Sequence, residues 1–163
     1  MQTNVIITGA SCGIGKEIAK VFINSGCRVF NLSRTLCSIS GVENYSIDLK
    51  DTEALENSVL TIKDELARDK KYYKLILVHN ACTFIKDSLS NVDSRLFMDA
   101  LQVSLLAPAL INKALIARMS QGSAILYIGS TLSEKAVCNT LSYTTIKHAV
   151  LGAMRATCQD LQE

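Results

Sequence analysis

An apolar run that leads directly into a glycine-rich turn constrains this sequence more than any other feature. The run Asn-Val-Ile-Ile is followed over residues 8–15 by Thr-Gly-Ala-Ser-Cys-Gly-Ile-Gly, which predicts a strand, a tight turn and a helix. Gly9 tolerates the positive φ of such a turn, Gly13 lets backbone approach an anion, and Gly15 lets the helix pack closely on the strand. The stretch is therefore typical of a phosphate cradle at a helix N-terminus. Its spacing, G-x-x-x-G-x-G, departs from the common fingerprint G-x-G-x-x-G, so an ordinary glycine-containing turn remains the alternative.

Strand-like and helix-like segments alternate along the rest of the chain. Short apolar runs indicate strands at 5–8, 28–33, 45–47, 75–78 and 124–128. Apolar residues at helical spacing indicate helices at 15–24, 51–67, 93–119 and 141–161. This alternation requires right-handed crossovers and predicts a doubly wound parallel sheet, a Rossmann-like three-layer α/β/α fold. At 163 residues and 48% apolar composition, we expect a single domain over residues 1–163.

Three local features refine this prediction. Asp51 or Thr52 is placed to cap the helix that follows. The connection 34–43 is short for a crossover helix, so we expect an abbreviated helix or an extended arch. Pro108 interrupts the helix at 93–119 and should kink it or loosen one turn.

Charge and cysteine use narrow the classes of partner and compartment. A net charge of +2 argues against a nucleic-acid surface, and the charged run at 68–71 predicts a solvated helix end. Six dispersed cysteines and two isolated histidines show no metal-ligand spacing, so no metal site is expected. Strand-like sequence begins within four residues of Met1, and no uninterrupted apolar run approaches membrane-spanning length. We therefore expect a cytoplasmic protein with free thiols and with neither a membrane nor a nucleic-acid partner.

Three side chains in the last third of the sequence are candidates for proton-transfer chemistry. Tyr143 and Lys147 lie four residues apart in a helical pattern, so they share one face. A lysine ammonium beside a tyrosine stabilises the phenolate, which makes the tyrosine a proton donor or acceptor. Ser130 follows the strand at 124–128, at the carboxyl end where open α/β sheets bind ligands. Chance explains such a pair equally well, and a serine there is also typical of a turn or cap.

The order of these features resembles the short-chain dehydrogenase/reductase family. The resemblance covers residues 4–161 and depends on the glycine turn, Leu32-Ser33-Arg34, Asp48-Leu49, His79-Asn80-Ala81-Cys82, Ser130 and Tyr143-x-x-x-Lys147. It implies a nicotinamide dinucleotide cofactor, whose pyrophosphate would be held by Gly9, Ser11, Gly13, Ile14 and Gly15. Asp48 and Leu49 would contact the adenine, and Asn80 and Ala81 would border the adenosine ribose.

The same resemblance implies the chemistry and the assembly. Tyr143 would be the catalytic acid/base, Lys147 would favour its phenolate and bind the nicotinamide ribose, and Ser130 would polarise a carbonyl. The substrate would be a small carbonyl or alcohol compound that exchanges hydride with the cofactor. The helices at 93–119 and 141–161 carry more apolar surface than one sheet face should cover, including Leu105, Leu106, Leu110, Ile111 and Leu115 on the first and Val150, Ala153 and Met154 on the second. We expect a partner to cover the surplus, and the resemblance implies a homodimer or homotetramer whose interface these helices form.

The end of the second strand predicts which cofactor is preferred. NAD(H) requires a carboxylate there for the ribose 2′-hydroxyl, whereas the 2′-phosphate of NADP(H) requires a cation. Ser33 and Arg34 occupy the place with no acidic neighbour, which favours NADP(H) and leaves NAD(H) as the alternative. The alternative is that Arg34 lies exposed to solvent in a loop and contacts no ligand.

Several departures from the family pattern bear on activity. Ser104 stands where the family has an asparagine, which would alter a water-mediated proton relay through Lys147. Cys82 replaces the glycine of the family's Asn-Ala-Gly motif near the nicotinamide. For Cys12 and Cys138 we expect one of two roles: they face the cofactor, or they act as small buried apolar side chains.

The largest departure is the end of the chain at Glu163, where full members of the family continue into further strands and a substrate loop. We therefore expect a sheet that is incomplete at its C-terminal edge. The alternative function is a nucleotide-binding or oligomerisation remnant without catalysis.

Overall fold

Five parallel strands form one sheet in this computed structural model, which describes residues 2–68 and 73–162. The strands are β1 (Gln2–Thr8), β2 (Arg28–Ser33), β3 (Val42–Ser46), β4 (Tyr73–His79) and β5 (Ala124–Tyr127). Their spatial order is β3-β2-β1-β4-β5, and Thr8 of β1 lies opposite both Leu32 and His79. The predicted parallel, Rossmann-like sheet is confirmed, and its parallel strands bring all their carboxyl ends to one edge.

Helices cover both faces of this sheet. They are α1 (Gly13–Asn24), α2 (Thr52–Arg68), α3 (Ser94–Leu101), α4 (Ala107–Leu115) and α5 (Leu141–Asp160). Asp51 caps α2, since its Oδ1 accepts the N–H of Ala54 at 3.0 Å. Residues 69–71 of the predicted charged helix end lie outside the described residues.

Side chains of the central strand β1 alternate between two cores. Ile6 packs with buried residues of α2 and α4 on one face, whereas Val5 and Ile7 pack with Ala19 of α1 on the other. Burial on both faces explains why the strands read as continuous apolar runs. A third cluster, which includes Ala100 and Ile146, joins α3 to α5.

The connection between β2 and β3 is an extended arch without a helix, one of the two predicted forms. Asn44 holds the arch, because its Oδ1 accepts the N–H of Cys37 at 2.7 Å. The backbone of Arg34 is fixed in the same arch, where its carbonyl accepts the hydroxyl of Ser46 at 3.2 Å.

One π-helical turn, Gln102–Leu106, separates α3 from α4, and Pro108 is the second residue of α4. Its last bond runs from the N–H of Ala107 to the carbonyl of Gln102, five residues back. Proline lacks an N–H and disfavours a regular turn before it, so the prediction of a loosened turn is confirmed.

The helical run Ser94–Arg118 is long and apolar enough to cross a membrane by length and composition alone. The sequence interpretation, which weighed uninterrupted apolar runs, missed this because charged and polar residues divide the segment. Ile111 and Leu115 of the run are fully buried against the sheet. A helix that packs into a core meets the same criterion, so the run is weak evidence for a membrane span.

Strand β5 forms one border of the sheet. It pairs with β4 on one side, and no strand among residues 2–68 and 73–162 pairs with its other side. Leu126 of this strand is 45% exposed, which leaves an apolar side chain beside an open edge.

Candidate active site

Hydrogen bonds from its backbone N–H groups to a carbonyl and a side chain of β2 fix the glycine turn between β1 and α1. The N–H of Gly9 donates to the carbonyl of Leu32 at 3.0 Å, and the N–H of Ala10 donates to Oδ1 of Asn31 at 2.9 Å. Asn31 is fully buried and in turn donates to Asn44 at 2.8 Å. The sequence interpretation missed Asn31, although a polar residue within an apolar strand was a usable signal.

The end of β4 locks onto the end of β1 through Thr8 and Asn80. The Thr8 hydroxyl accepts the N–H groups of Asn80 and Ala81 at 3.0 and 3.1 Å. The Asn80 amide nitrogen donates to the carbonyls of Thr8 and Gly9 at 3.1 and 2.9 Å. Asn80 therefore holds the glycine turn in place, besides lining the cleft described below.

Close contact at Gly15 explains why this position of the turn has no side chain. A Cβ on Gly15 would lie 2.3 Å from the carbonyl oxygen of Gly9 and 2.4 Å from Nδ2 of Asn80. Gly9 and Gly13 instead have positive φ values of 73° and 55°. The predicted backbone features of the turn are therefore present, while the phosphate contacts of these glycines remain predictions.

A cleft of about 580 Å³ opens at the carboxyl edge of the sheet, beside the glycine turn. Eight residues predicted to bind the cofactor line it: Gly9, Ser11, Ile14, Arg34, Asp48, Leu49, Asn80 and Ala81. Gly13 and Gly15 of the same prediction, as well as Tyr143 and Lys147, are not part of its lining. The structure thus brings together the residues predicted for the adenosine half of a dinucleotide.

Two features of the cleft fit an anionic dinucleotide. The N-cap residue of α1, Cys12, makes no capping hydrogen bond with its side chain, which leaves the first N–H groups of the helix for an external acceptor. Arg34 is exposed in the cleft and forms no ion pair with any other described residue. Its guanidinium is therefore free to meet a phosphate.

An ion pair closes the far wall of the cleft. Lys50 Nζ lies 2.9 Å from Oδ2 of Asp99, and Gln102 donates to the Lys50 carbonyl at 2.9 Å. The N–H of Lys50 also donates to Oδ1 of Asp48 at 3.1 Å, which orients the carboxylate predicted to contact adenine.

Helix α5 carries Tyr143 and Lys147 on one face, as predicted from their spacing. Lys147 is 3% exposed, its Nζ donates to the carbonyl of Ile128 at 2.8 Å, and this atom lies 5.7 Å from the centre of the Tyr143 ring. Ser130 caps a short 3₁₀ turn: its Oγ accepts the N–H of Leu132 at 3.1 Å. Within the described part of the chain, no hydrogen bond joins these three candidates directly.

A buried aspartate that the sequence interpretation missed clamps the start of α5. Asp87 accepts the N–H of Ser142 at 2.9 Å and also its hydroxyl, while the Asp87 carbonyl accepts the N–H of Leu141 at 3.2 Å. Asp87 and Ser142 are 4% and 0% exposed. Because Ser142 immediately precedes Tyr143, this clamp fixes where the tyrosine lies.

The aromatic side chain that contacts Tyr143 is largely exposed to solvent. Phe84 contacts the Tyr143 ring edge-on at 5.0 Å between centres and is itself 62% exposed.

Ser104 lies buried in the π-helical turn, and its hydroxyl finds no hydrogen-bond partner in the described residues. A buried hydroxyl without a partner is unusual and suits a water, but its predicted effect on a proton relay remains a prediction.

The prediction that Cys12 and Cys138 act as small buried apolar side chains is wrong. All six cysteines are free, and Cys12 and Cys138 are exposed rather than small buried apolar side chains. Cys12 and Cys82 line the cleft, whereas Cys138 does not. Cys12 lies at a helix terminus and Cys138 in a surface segment, where no core exists for them to fill.

A second polar cluster lies behind the site, at the border of β4, β5 and α4. His79 Nε2 lies 2.8 Å from the Asn112 amide oxygen, and the Asn112 nitrogen donates to the Tyr127 hydroxyl at 2.8 Å. Burial of the imidazole lowers the pKa of His79 to about 4, although the Asn112 hydrogen bond opposes this. His79 is therefore neutral at physiological pH.

Sequence and structure comparisons identify the family. The family model described as short chain dehydrogenase matches residues 3–163. The chain belongs to this family. L-xylulose reductase of Homo sapiens is 29% identical over 157 residues, which are 90% of this chain and 60% of the relative. A dehydrogenase/reductase SDR family protein 7-like of Dictyostelium discoideum is 32% identical over 167 residues, 91% of this chain and 51% of the relative.

A solved structure shows the same fold. The ligand-free aldohexose dehydrogenase of Thermoplasma acidophilum is 26% identical with a TM-score of 0.87, and the match covers 98% of this chain and 61% of that chain. The chain spans roughly half to three fifths of the length of these relatives. Membership of the family implies a nicotinamide cofactor.

Proposed function

We propose that this chain supplies the dinucleotide-binding part and the proton-transfer residues of an NADP(H)-dependent oxidoreductase that acts on a small carbonyl or alcohol compound. The observation that carries the proposal is the cleft beside the uncapped N-terminus of α1, with Arg34, which forms no ion pair among the described residues, on its wall. A phosphate-rich ligand matches both features.

The preference for NADP(H) depends on Arg34. Its backbone is held by Ser46, and its guanidinium forms no ion pair with any side chain that the structure describes. Residues 34–41, which follow β2, include no acidic side chain that could accept a ribose 2′-hydroxyl. Paired charge-assisted hydrogen bonds from a guanidinium suit the 2′-phosphate that NADP(H) has and NAD(H) lacks.

The chemistry assigned to α5 follows from the positions of its side chains. A bound nicotinamide would supply or accept the hydride. The Tyr143 hydroxyl would give a proton to the substrate oxygen, and the Lys147 ammonium near its ring would stabilise the phenolate that remains. Ser130 Oγ accepts a bond from Leu132, so its own hydrogen stays free to donate to the substrate oxygen.

Calorimetric titration of NADPH and NADH tests the cofactor assignment. We expect tighter binding of NADPH, and we expect Arg34→Ala to remove most of the difference. Arg68→Ala, which removes an exposed cation at the end of α2, is the matched control and should leave the difference intact. Equal affinities in the unsubstituted protein would contradict the proposal.

The assembly and compartment belong to the same proposal. Leu106 and Ile116 are 45% and 38% exposed on the helical run 94–118, which supports a homodimer or homotetramer through this run and α5. The sequence interpretation expected Ile111, Leu115 and Val150 to contribute to this surface, which is wrong because each is buried in the chain's own core. Light scattering that finds only monomer at high concentration would count against the interface.

Six free thiols support a reducing cytoplasm.

A second candidate function is nucleotide binding without turnover. It is favoured by the open surroundings of Tyr143, where Phe84 is largely exposed, and by the outer edge of β5, with which no described strand pairs. We expect the 163-residue chain to self-associate and to oxidise no NADPH with aldehydes, ketones or quinones, since an open site does not exclude water. Steady turnover by a chain of verified mass would favour the first function over this one.

A further inference from the structure

Two of the six free cysteines line the cleft, and they come from different connections at the edge of the sheet. Cys12 lies between β1 and α1, and Cys82 follows β4. Both are exposed. Cys138 and Cys158 are also exposed but line no part of this cleft, so the chain contains its own comparison set.

The two connections that carry these thiols are held rigidly together. Asn80 donates to the carbonyl of Gly9, and a Cβ on Gly9 would lie only 3.2 Å from the Cα of Ala81. A group attached to Cys12 or Cys82 is therefore not accommodated by parting the two connections. Because both cysteines line the cleft, a group as large as glutathione on either one lies at the cleft and competes with a nucleotide for that space.

We propose that Cys12 and Cys82 form a thiol-modification site, at which a mixed disulfide with a small-molecule disulfide excludes the nucleotide from the cleft. The exclusion of nucleotide rests on the function proposed above, whereas the modification itself does not. Reduction of the mixed disulfide by a free thiol would restore binding, so the site would report the thiol-disulfide balance of its surroundings.

The reaction is a simple exchange. The thiolate of Cys12 or Cys82 attacks one sulfur of glutathione disulfide, and a protein–glutathione disulfide bond forms as the original disulfide bond breaks. The second glutathione leaves as a thiolate and takes up the proton that the cysteine lost. The cysteine sulfur is oxidised, half of the glutathione disulfide is reduced, and no other reactant is needed.

The test uses the full chain and glutathione disulfide as the probe. Peptide mass spectrometry follows the rate of modification at each cysteine, with and without saturating NADPH, and calorimetry measures NADPH binding before and after treatment. The variants are Cys12→Ser, Cys82→Ser and their combination, and the matched control combines Cys138→Ser with Cys158→Ser. Each protein is compared with itself before treatment.

We expect NADPH to slow modification of Cys12 and Cys82 but not of Cys138 and Cys158. Treatment should weaken NADPH binding by about tenfold or more in the unsubstituted and control proteins, and much less in the Cys12→Ser, Cys82→Ser combination. Equal modification rates with and without NADPH, or unchanged NADPH affinity after full modification of both cysteines, would overturn the inference. Failure of the untreated chain to bind NADPH would instead refute the proposed function.

Discussion

Substitution of Gly15 by alanine should destabilise the protein and disturb the glycine turn. The added methyl group would lie 2.3 Å from the Gly9 oxygen and 2.4 Å from the Asn80 amide nitrogen, about 1 Å inside normal contact. If the Asn80 amide moves away, it loses its two hydrogen bonds at 3.1 and 2.9 Å, which costs about 1–3 kcal/mol. Displacement of the turn adds about 1–3 kcal/mol, and the helix propensity of alanine returns about 1 kcal/mol.

The net loss in free energy of unfolding is therefore about 1–5 kcal/mol, and NADPH affinity should fall with it. Because the chain has no tryptophan, urea unfolding is best followed by far-UV circular dichroism. Gly152→Ala is the matched control: Gly152 lies within α5, a Cβ there meets nothing within 4 Å, and alanine should stabilise by up to about 1 kcal/mol. If Gly15→Ala proved as stable as Gly152→Ala, the close contact would not be the reason for glycine at this position.

Three further predictions concern buried polar groups. Burial lowers the folded-state pKa of His79 to about 4, whereas the unfolded imidazole titrates near 6.5. Between these values the unfolded chain binds a proton that the folded chain does not bind. The free energy of unfolding should therefore fall by about 3 kcal/mol as the pH is lowered from about 6.5 to about 4. Urea unfolding across this range measures the fall, and His79→Gln should flatten it; an equal slope in that variant would refute the assignment. Asp87→Ala should cost about 2–4 kcal/mol by leaving the N–H and hydroxyl of Ser142 unpaired, and amide hydrogen exchange should show the start of α5 opening more often. Unchanged amide hydrogen exchange at the start of α5 in this variant would contradict the role assigned to Asp87. Neither amide atom of Asn4 has a partner among the described residues, so Asn4→Leu should stabilise by about 1–3 kcal/mol in the same unfolding assay, and a destabilised variant would contradict this.

Most of the fold could be predicted because its signals are local. The glycine turn, the alternating apolar segments and Pro108 each act through neighbours in the sequence, and the structure has the corresponding strand, helix and loosened turn. The partners of Asn31 and Asp87 could not be found this way, since Ala10 and Ser142 lie 21 and 55 residues distant. The surplus apolar surface expected at Ile111 was wrong for the same reason: helical spacing identifies an apolar face without showing which part of it the sheet covers.

The π-helical turn before Pro108 sets the angular phase of the helix that follows it. An extra residue in one turn rotates everything beyond it by about 100° about the helix axis relative to an uninterrupted α-helix. The run can thus present Leu101 to α5 and, further along, Ile111 and Leu115 to the sheet. Loss of a single residue from Gln102–Leu106 would regularise the backbone yet turn Ile111 and Leu115 away from their core. In a sequence alignment a one-residue gap looks minor, but here it would change which face of α4 packs against the sheet.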